Sequence, residues 1–331
     1  MPSLRNAFLC LAIVPAIALA QNSGSVDLIN LAPDDTQILA GVNVNAAKTS
    51  PFGQFMLSQM EFGDSIFQKF VTETGFDPRY DLSEVLIASN EATGSLSKFF
   101  MAAHGSFSQA MATVEGTLAA AGATITHLPG VDVIVLPAAH GPMASPCVAF
   151  FTDGNTALMG DCDKVNTAAH SRGSGSGVSS TLAAKAQQWR KQGDLWFTSV
   201  VPLTQLAGVL PTGGPLSGVM NTDLFKGIQQ TSGGVKLTSS SPQGPAVQVS
   251  GEAVMDTSRN AMALVNVVNF IAGMIQTAKT NDPTATIFTS LLASLQASAN
   301  GNTVSVNLTV PETALEQIFT SGHHLAIVMV R

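Results

Sequence analysis

EVLIASNEATGSLSKFFMAAHGSFSQAMATVEGTLAAAG, residues 84–122, reads as strand, polar turn, strand and helix. Val85 to Ala88 and Phe99 to Ala103 are short apolar runs bounded by turn-forming residues. Such runs suit strands packed on at least one face. In the stretch that follows, Phe107, Ala110, Met111, Val114, Leu118 and Ala121 recur at three- and four-residue steps. That spacing gathers them on one helix face. Ser106 and Gln109 have the spacing of a capping box, and Gly122 supplies the stop. The same order returns from Gly234 to about Gln276, with strands at Val235 to Thr238 and Ala246 to Val254 and a helix directly after. In this second helix Asn266, Asn269, Gly273 and Gln276 form a lone polar stripe, which predicts burial over most of its circumference. Asp256, Thr257 or Ser258 can cap it.

Outward from these two units the chain repeats a layout of strand, helical segment, hairpin, long helix and further strand. The first half contributes a strand at Ile38 to Val44. Ser50-Pro51 then opens a helix from Phe52 to Met60, Asp64 caps another, and two short strands lie around Pro129-Gly130. The second half contributes a helix from Thr181 to Gln192, a strand from Leu195 to Val201 and a helix from about Thr284 to Ala299. An alternating strand, Thr303 to Val310, a last helix from Pro311 to Phe319 and an apolar tail to Val330 complete it. The expected fold is α+β: two structurally similar halves, each a mainly antiparallel sheet covered by helices.

Residues 1–20 carry Arg5, an apolar run from Ala7 to Leu19 and the small-residue site Ala18-Leu19-Ala20, the pattern of a signal peptide. Residues 21–170 form a first α+β module, 171–180 a Gly/Ser linker and 181–331 a second module. The linker is flexible by composition. With Arg5 removed, 14 of the 15 basic residues face 22 acidic ones, a formal charge of −8. Charged residues make up 11% and no basic run exists, so nucleic-acid binding and adhesion to anionic membranes lack an electrostatic basis. A hydrophobic content of 45% is ample for a core.

Of the three cysteines, Cys147 and Cys162 remain beyond the leader. They bracket a hairpin centred on Asp153-Gly154-Asn155-Thr156, whose folding places the two opposite each other. An oxidising compartment then predicts a disulfide contributing about 2–3 kcal/mol. Two thiols without a histidine in register fall short of a zinc set.

The stretch Thr74-Gly75-Phe76-Asp77-Pro78-Arg79-Tyr80-Asp81-Leu82-Ser83-Glu84-Val85 resembles a recurring segment of uncharacterised exported bacterial proteins. Asp35-Thr36 and the Trp196 region share in that likeness. The resemblance implies an exported setting and this architecture, and it carries no activity.

Asp77, Arg79 and Asp81 are the densest charged cluster, a candidate acid/base or anion site. Turn chemistry after a helix accounts for the same residues. His104, His127, His140, His170, His323 and His324 fall in no HExxH spacing. His104, His127 and His140 stand at strand ends where a fold could gather them. No G-x-S-x-G elbow, dinucleotide fingerprint or phosphate-binding loop occurs, so neither catalytic residues nor a cofactor or metal is assigned. Ala261 to Ile275 could line a lipid cavity or span a bilayer; its polar stripe and the flanking Arg259 favour a packed core helix, and no stable span is expected once the leader is cut. The expectation is an exported envelope protein with a non-catalytic binding or structural role toward an unknown protein partner. A carrier of an apolar small molecule or lipid is the alternative, and an extracytoplasmic hydrolase comes third.

Overall fold

The computed structural model describes residues 26–59, 68, 71–72, 74–90, 99–120, 122–136, 146–174, 177–202, 223–241, 244–277 and 294–320. The leader, most of the helix expected at Asp64, the apolar tail and the histidines at 140, 323 and 324 lie outside them.

Helices and antiparallel strands share the described chain, as an α+β fold requires. The strands are β1 Ile38–Asn43, β2 Leu82–Ser89, β3 Phe100–Gly105, β4 Thr124–Leu128, β5 Val131–Val135, β6 Pro146–Phe151 and β7 Thr156–Asp161. They continue with β8 Leu195–Ser199, β9 Ile228–Ser241, β10 Gly244–Met255, β11 Gln296–Asn300 and β12 Thr303–Pro311. The helices are α1 Leu28–Leu31, α2 Val44–Thr49, α3 Pro51–Gln59, α4 Pro78–Asp81, α5 Ser108–Ala120, α6 Cys162–Ser171, α7 Ser180–Gln192, α8 Asp223–Lys226, α9 Ser258–Thr277 and α10 Glu312–Thr320.

Where the sequence suggests a sheet for each half, the twelve strands among the described residues join one sheet in the order β11-β12-β10-β9-β8-β1-β2-β3-β7-β6-β5-β4. The seam is the antiparallel pair β1–β8, from Ile38↔Ser199 to Val42↔Leu195. Two separate sheets would each expose an unpaired edge there, and pairing satisfies both rows of backbone groups. At the seam Trp196 lies across Gly41. A Cβ at Gly41 would stand 2.4 Å from the indole, so only glycine admits the ring.

Successive strand residues point to opposite faces, which sorts the core. On one face Leu39, Leu86, Ala88, Phe100, Ala102, Leu158 and Trp196 pack against α1, α6 and α7, through Leu28, Leu31, Val165, Leu182, Ala186 and Trp189. On the other, α5 covers Ala103, Ile134 and Phe150, α9 covers Ile228, Met255 and Val304, and α3 covers Leu237 and Val247. Between α5 and α9 the row Phe197, Ala40, Ile87, Met101 and Met159 crosses the sheet. Phe197 is 44% exposed, Ile87 40% and Met159 37%.

Local signals explain most boundaries. Ser50 caps α3 through Gly53 N at 3.1 Å with Pro51 at the first turn, and Thr257 caps α9 through Asn260 N. Gly122, at φ 90°, ends α5. Four expectations fail. Helix α5 begins at Ser108, because Ser106 N donates to Asp81 O and Phe107 N to Gly154 O, which holds both outside the helix. Phe107, not Ser106, therefore holds the N-cap place, its carbonyl accepting from Met111 N. Gln296 to Ala299, expected to end a helix, are strand β11; Gly301, at φ 58°, sits first in the two-residue turn to β12, which suits a II′ hairpin. Helix α9 is not buried on most sides. Met262 and Phe270 are exposed beside Asn266 and Asn269, because only one flank meets β10, β11 and β12. Finally, Cys147 pairs in register with Gly160, and Cys162 is the first residue of α6. The turn into α6 still brings the two cysteines to disulfide distance, with Cα atoms 4.8 Å apart.

The Gly/Ser stretch is partly packed. A Cβ at Gly173 would meet Val26 at 2.3 Å, one at Gly177 would meet Asp34 at 2.8 Å, and Val178 is buried. These glycines allow close approach to the segment before β1 as well as supplying freedom.

Candidate functional site

Strands β2 and β3 place Glu84 directly opposite His104, on the face that carries Leu86 and Ala102. Helix α7 lies over this face because Leu182, Ala186 and Trp189 recur on one side, and its last turn delivers Arg190 to the strand ends. Asp27 arrives from the N-cap of α1, where its Oδ1 accepts a hydrogen bond from Ile29 N at 3.1 Å. Arg190 Nη2 donates to Glu84 Oε2 at 2.7 Å, and Nη1 donates to Asp27 Oδ1 at 2.9 Å. Gln187 Nε2 donates to the other Asp27 oxygen at 2.7 Å.

His104 completes the group. Its Nε2 lies 2.9 Å from the carbonyl oxygen of Val26, and its Nδ1 lies 3.7 Å from Glu84 Oε2, an ion pair only if the ring is protonated. Burial pushes the Glu84 carboxyl up, but His104 and Arg190 outweigh it and hold the group below the usual carboxylate range. Burial likewise lowers Arg190, and Glu84 with Asp27 more than restores it, so the guanidinium is held charged.

These residues line a cavity of about 630 Å³. Asn45, Ser83 and Asn155 add neutral hydrogen-bonding groups, and Trp196 and Val26 contribute the apolar wall. Gly193 must be small here, since a Cβ would stand 2.7 Å from Leu195 O. An opening of this size accommodates a small polar molecule. The ionised, arginine-bound Glu84 is a poor general acid or base near neutral pH.

The cluster singled out in the sequence lies elsewhere and satisfies itself. Asp77 caps α4, and its two oxygens accept hydrogen bonds from Arg79 Nε at 2.9 and 3.2 Å and from Nη2 at 2.6 Å. The Arg79 hydrogen bond is the main reason the Asp77 carboxyl is lowered. Asp81 Oδ2 accepts from Asp77 N at 2.7 Å, and Lys48 Nζ donates to the carbonyls of Tyr80 and Leu82. Burial lowers the Lys48 ammonium. The Asp77 carboxylate and the Lys48 ammonium thus have local structural tasks.

Among the described residues the histidines are not gathered. His104 and His127 stand on β3 and β4, four strand spacings apart or roughly 19 Å, and point to opposite faces. His127 Nδ1 lies 2.7 Å from Asp132 Oδ1, and that hydrogen bond raises the imidazole's affinity for its proton. Glu115 is raised by burial first and by Asp132 second. His170 Nδ1 lies 2.7 Å from Asn166 O within α6. Among the described residues no cluster of three or more His, Cys, Asp or Glu could hold a metal ion.

Sequence reading finds His104 and passes over Glu84, Arg190 and Asp27. Arg190 is 106 residues from Glu84 and 163 from Asp27, so no local pattern links them. The one sequence signal is Glu84 itself, a carboxylate leading into an otherwise apolar run.

No family model matches the chain, and neither a curated protein nor a solved structure shows significant similarity to it.

Proposed function

We propose that this protein is an exported, non-catalytic binding component of the cell envelope, and that its ligand enters the cavity bounded by Glu84, His104, Arg190 and Asp27. The observation that carries this reading is the cavity of about 630 Å³, whose charged groups are held in a fixed chain while Asn45, Ser83 and Asn155 offer neutral hydrogen bonds. Glu84 and Arg190 hold each other charged and in place, which suits recognition of a ligand. Export is supported by the signal-like residues 1–20 and by Cys147 and Cys162 at disulfide distance. No helix among the described residues is long and apolar enough to cross a membrane.

The same reading takes the chain as a duplicated module. Outward from the seam, β1, β2, β3 and β7 on one side match β8, β9, β10 and β12 on the other, with a helix following the third strand in each. The binding site then draws on both halves, since α7 belongs to the second and β2 and β3 to the first. Native mass spectrometry of protein purified from its own host tests the reading: a small polar molecule should co-purify, and a bare chain that also binds nothing from a polar metabolite panel contradicts it.

One observation favours a second reading, a carrier of an apolar ligand. The exposed row Phe197, Ile87 and Met159, between α5 and α9, offers an apolar floor on the opposite face. In that case the co-purifying molecule is a lipid, lost on Phe197→Ser.

A further inference from the structure

We propose that the cavity takes the primary ammonium group of a small organic amine, seated between Glu84 and His104. This deepens the binding reading and rests on it. The first ground is tautomeric. The Val26 carbonyl can only accept a hydrogen bond, so His104 Nε2, 2.9 Å away, must be the donor. In the neutral ring Nδ1 is then a lone pair, and it faces Glu84 Oε2 at 3.7 Å. Two acceptors that face each other at that distance make no hydrogen bond between themselves. A donor nitrogen about 2.9 Å from each satisfies both.

The second ground is charge. Asp27 and Glu84 supply two negative charges to the cavity against one positive charge from Arg190, a balance of −1 with His104 neutral. Two of the five Arg190 N–H groups already donate to those carboxylates, and a carboxylate or phosphate ligand reaching the others would meet the surplus negative charge. A hydroxyl brings one proton and cannot donate to both acceptors at once. An ammonium brings three: one for Glu84 Oε2, one for His104 Nδ1 and one for the neutral lining, which includes Ser83 and Asn155. Glu84 stays ionised to receive it, and Arg190 Nη2 holds its Oε2 at 2.7 Å.

Ligand-observed NMR saturation transfer with n-butylamine, n-butanol and butyrate, on the intact protein purified from its host and stripped of bound ligand, tests the assignment. The expected result is binding of butylamine at least tenfold tighter than of either isostere, and a tenfold or greater loss for butylamine on Glu84→Gln. The wild-type series stands whether or not that variant folds. Equal binding of all three probes, or a preference for butyrate, overturns the ammonium assignment. If no probe binds but a neutral or anionic molecule co-purifies and is lost on Asn155→Trp, the assignment fails while the binding reading survives. If no probe binds and nothing co-purifies, both fail.

Discussion

Replacing Arg190 with methionine should destabilise the protein by about 2–3 kcal/mol at pH 7, and the loss should shrink in acid. The residue makes two charge-assisted hydrogen bonds, 2.7 Å to Glu84 and 2.9 Å to Asp27. Hydrogen bonds to charged groups are each worth about 1.5–3 kcal/mol. Breaking a fully buried pair by removing one partner costs about 3–5 kcal/mol. The side chains here retain 29% exposure at Arg190, 31% at Asp27 and 19% at Glu84, so water recovers part of the loss. Methionine keeps the stem's packing on the α7 face, which isolates the charge. Urea unfolding followed by circular dichroism reads the difference as a shifted midpoint with an unchanged slope. The pH arm follows from Glu84, whose folded-state carboxyl lies below its unfolded value. Its stabilisation is complete above the ordinary glutamate value of about 4.3 and disappears as the pH falls through the lower folded value. The gap between wild type and variant should therefore narrow on acidification over that interval. A double-mutant cycle with Glu84→Gln should show a coupling of about 1 kcal/mol or more. A variant within about 0.5 kcal/mol of wild type at pH 7, or a gap that stays constant into acid, refutes the ion-pair account.

Three further outcomes follow from the geometry. Gly41→Ala should cost at least about 2 kcal/mol in urea unfolding, since the new methyl stands 2.4 Å from the buried Trp196 ring; a neutral result contradicts the seam packing. Reduction of Cys147–Cys162, separated by 15 residues, should lower stability by roughly 3 kcal/mol, and the native protein should show no alkylatable thiol; two readily alkylated cysteines remove that bridge. His127 has its proton affinity raised by Asp132, so its contribution is full below the unfolded value of about 6.5 and lost as pH rises through the higher folded value. His127→Ala should therefore lower the thermal midpoint at pH 5.5 and leave it unchanged at pH 9, and an equal effect at both rejects the pairing.

Elements governed by short-range patterns are legible in the sequence. The hairpin around Gly154, the Ser50-Pro51 start of α3 and the alternating strand β12 each announce themselves within a few residues. Features decided by distant partners are not. The β1–β8 seam depends on two apolar strands finding each other's edges across more than 150 residues, and nothing in Ile38–Asn43 distinguishes an edge from a centre. Helix α9 misleads because exposed Met262 and Phe270 count as core in any apolar pattern, although only one flank meets the sheet. In β11, Asn300-Gly301 is a strong turn signal, yet Gln296 to Asn300 contains no β-branched residue to mark the strand before it. The densest charge cluster, Asp77 to Asp81, is a self-capped turn. The cavity instead recruits Asp27, Glu84 and Arg190 from elements far apart in the chain.

The function proposed for this protein turns on whether it binds in the polar cavity or on the apolar sheet face. Native mass spectrometry of host-purified wild type, Asn155→Trp and Phe197→Ser, side by side, addresses it directly. A small polar adduct should appear on wild type and Phe197→Ser and disappear from Asn155→Trp, whose indole would occupy the cavity that Asn155 lines. An adduct retained by Asn155→Trp and lost from Phe197→Ser would contradict binding in the cavity.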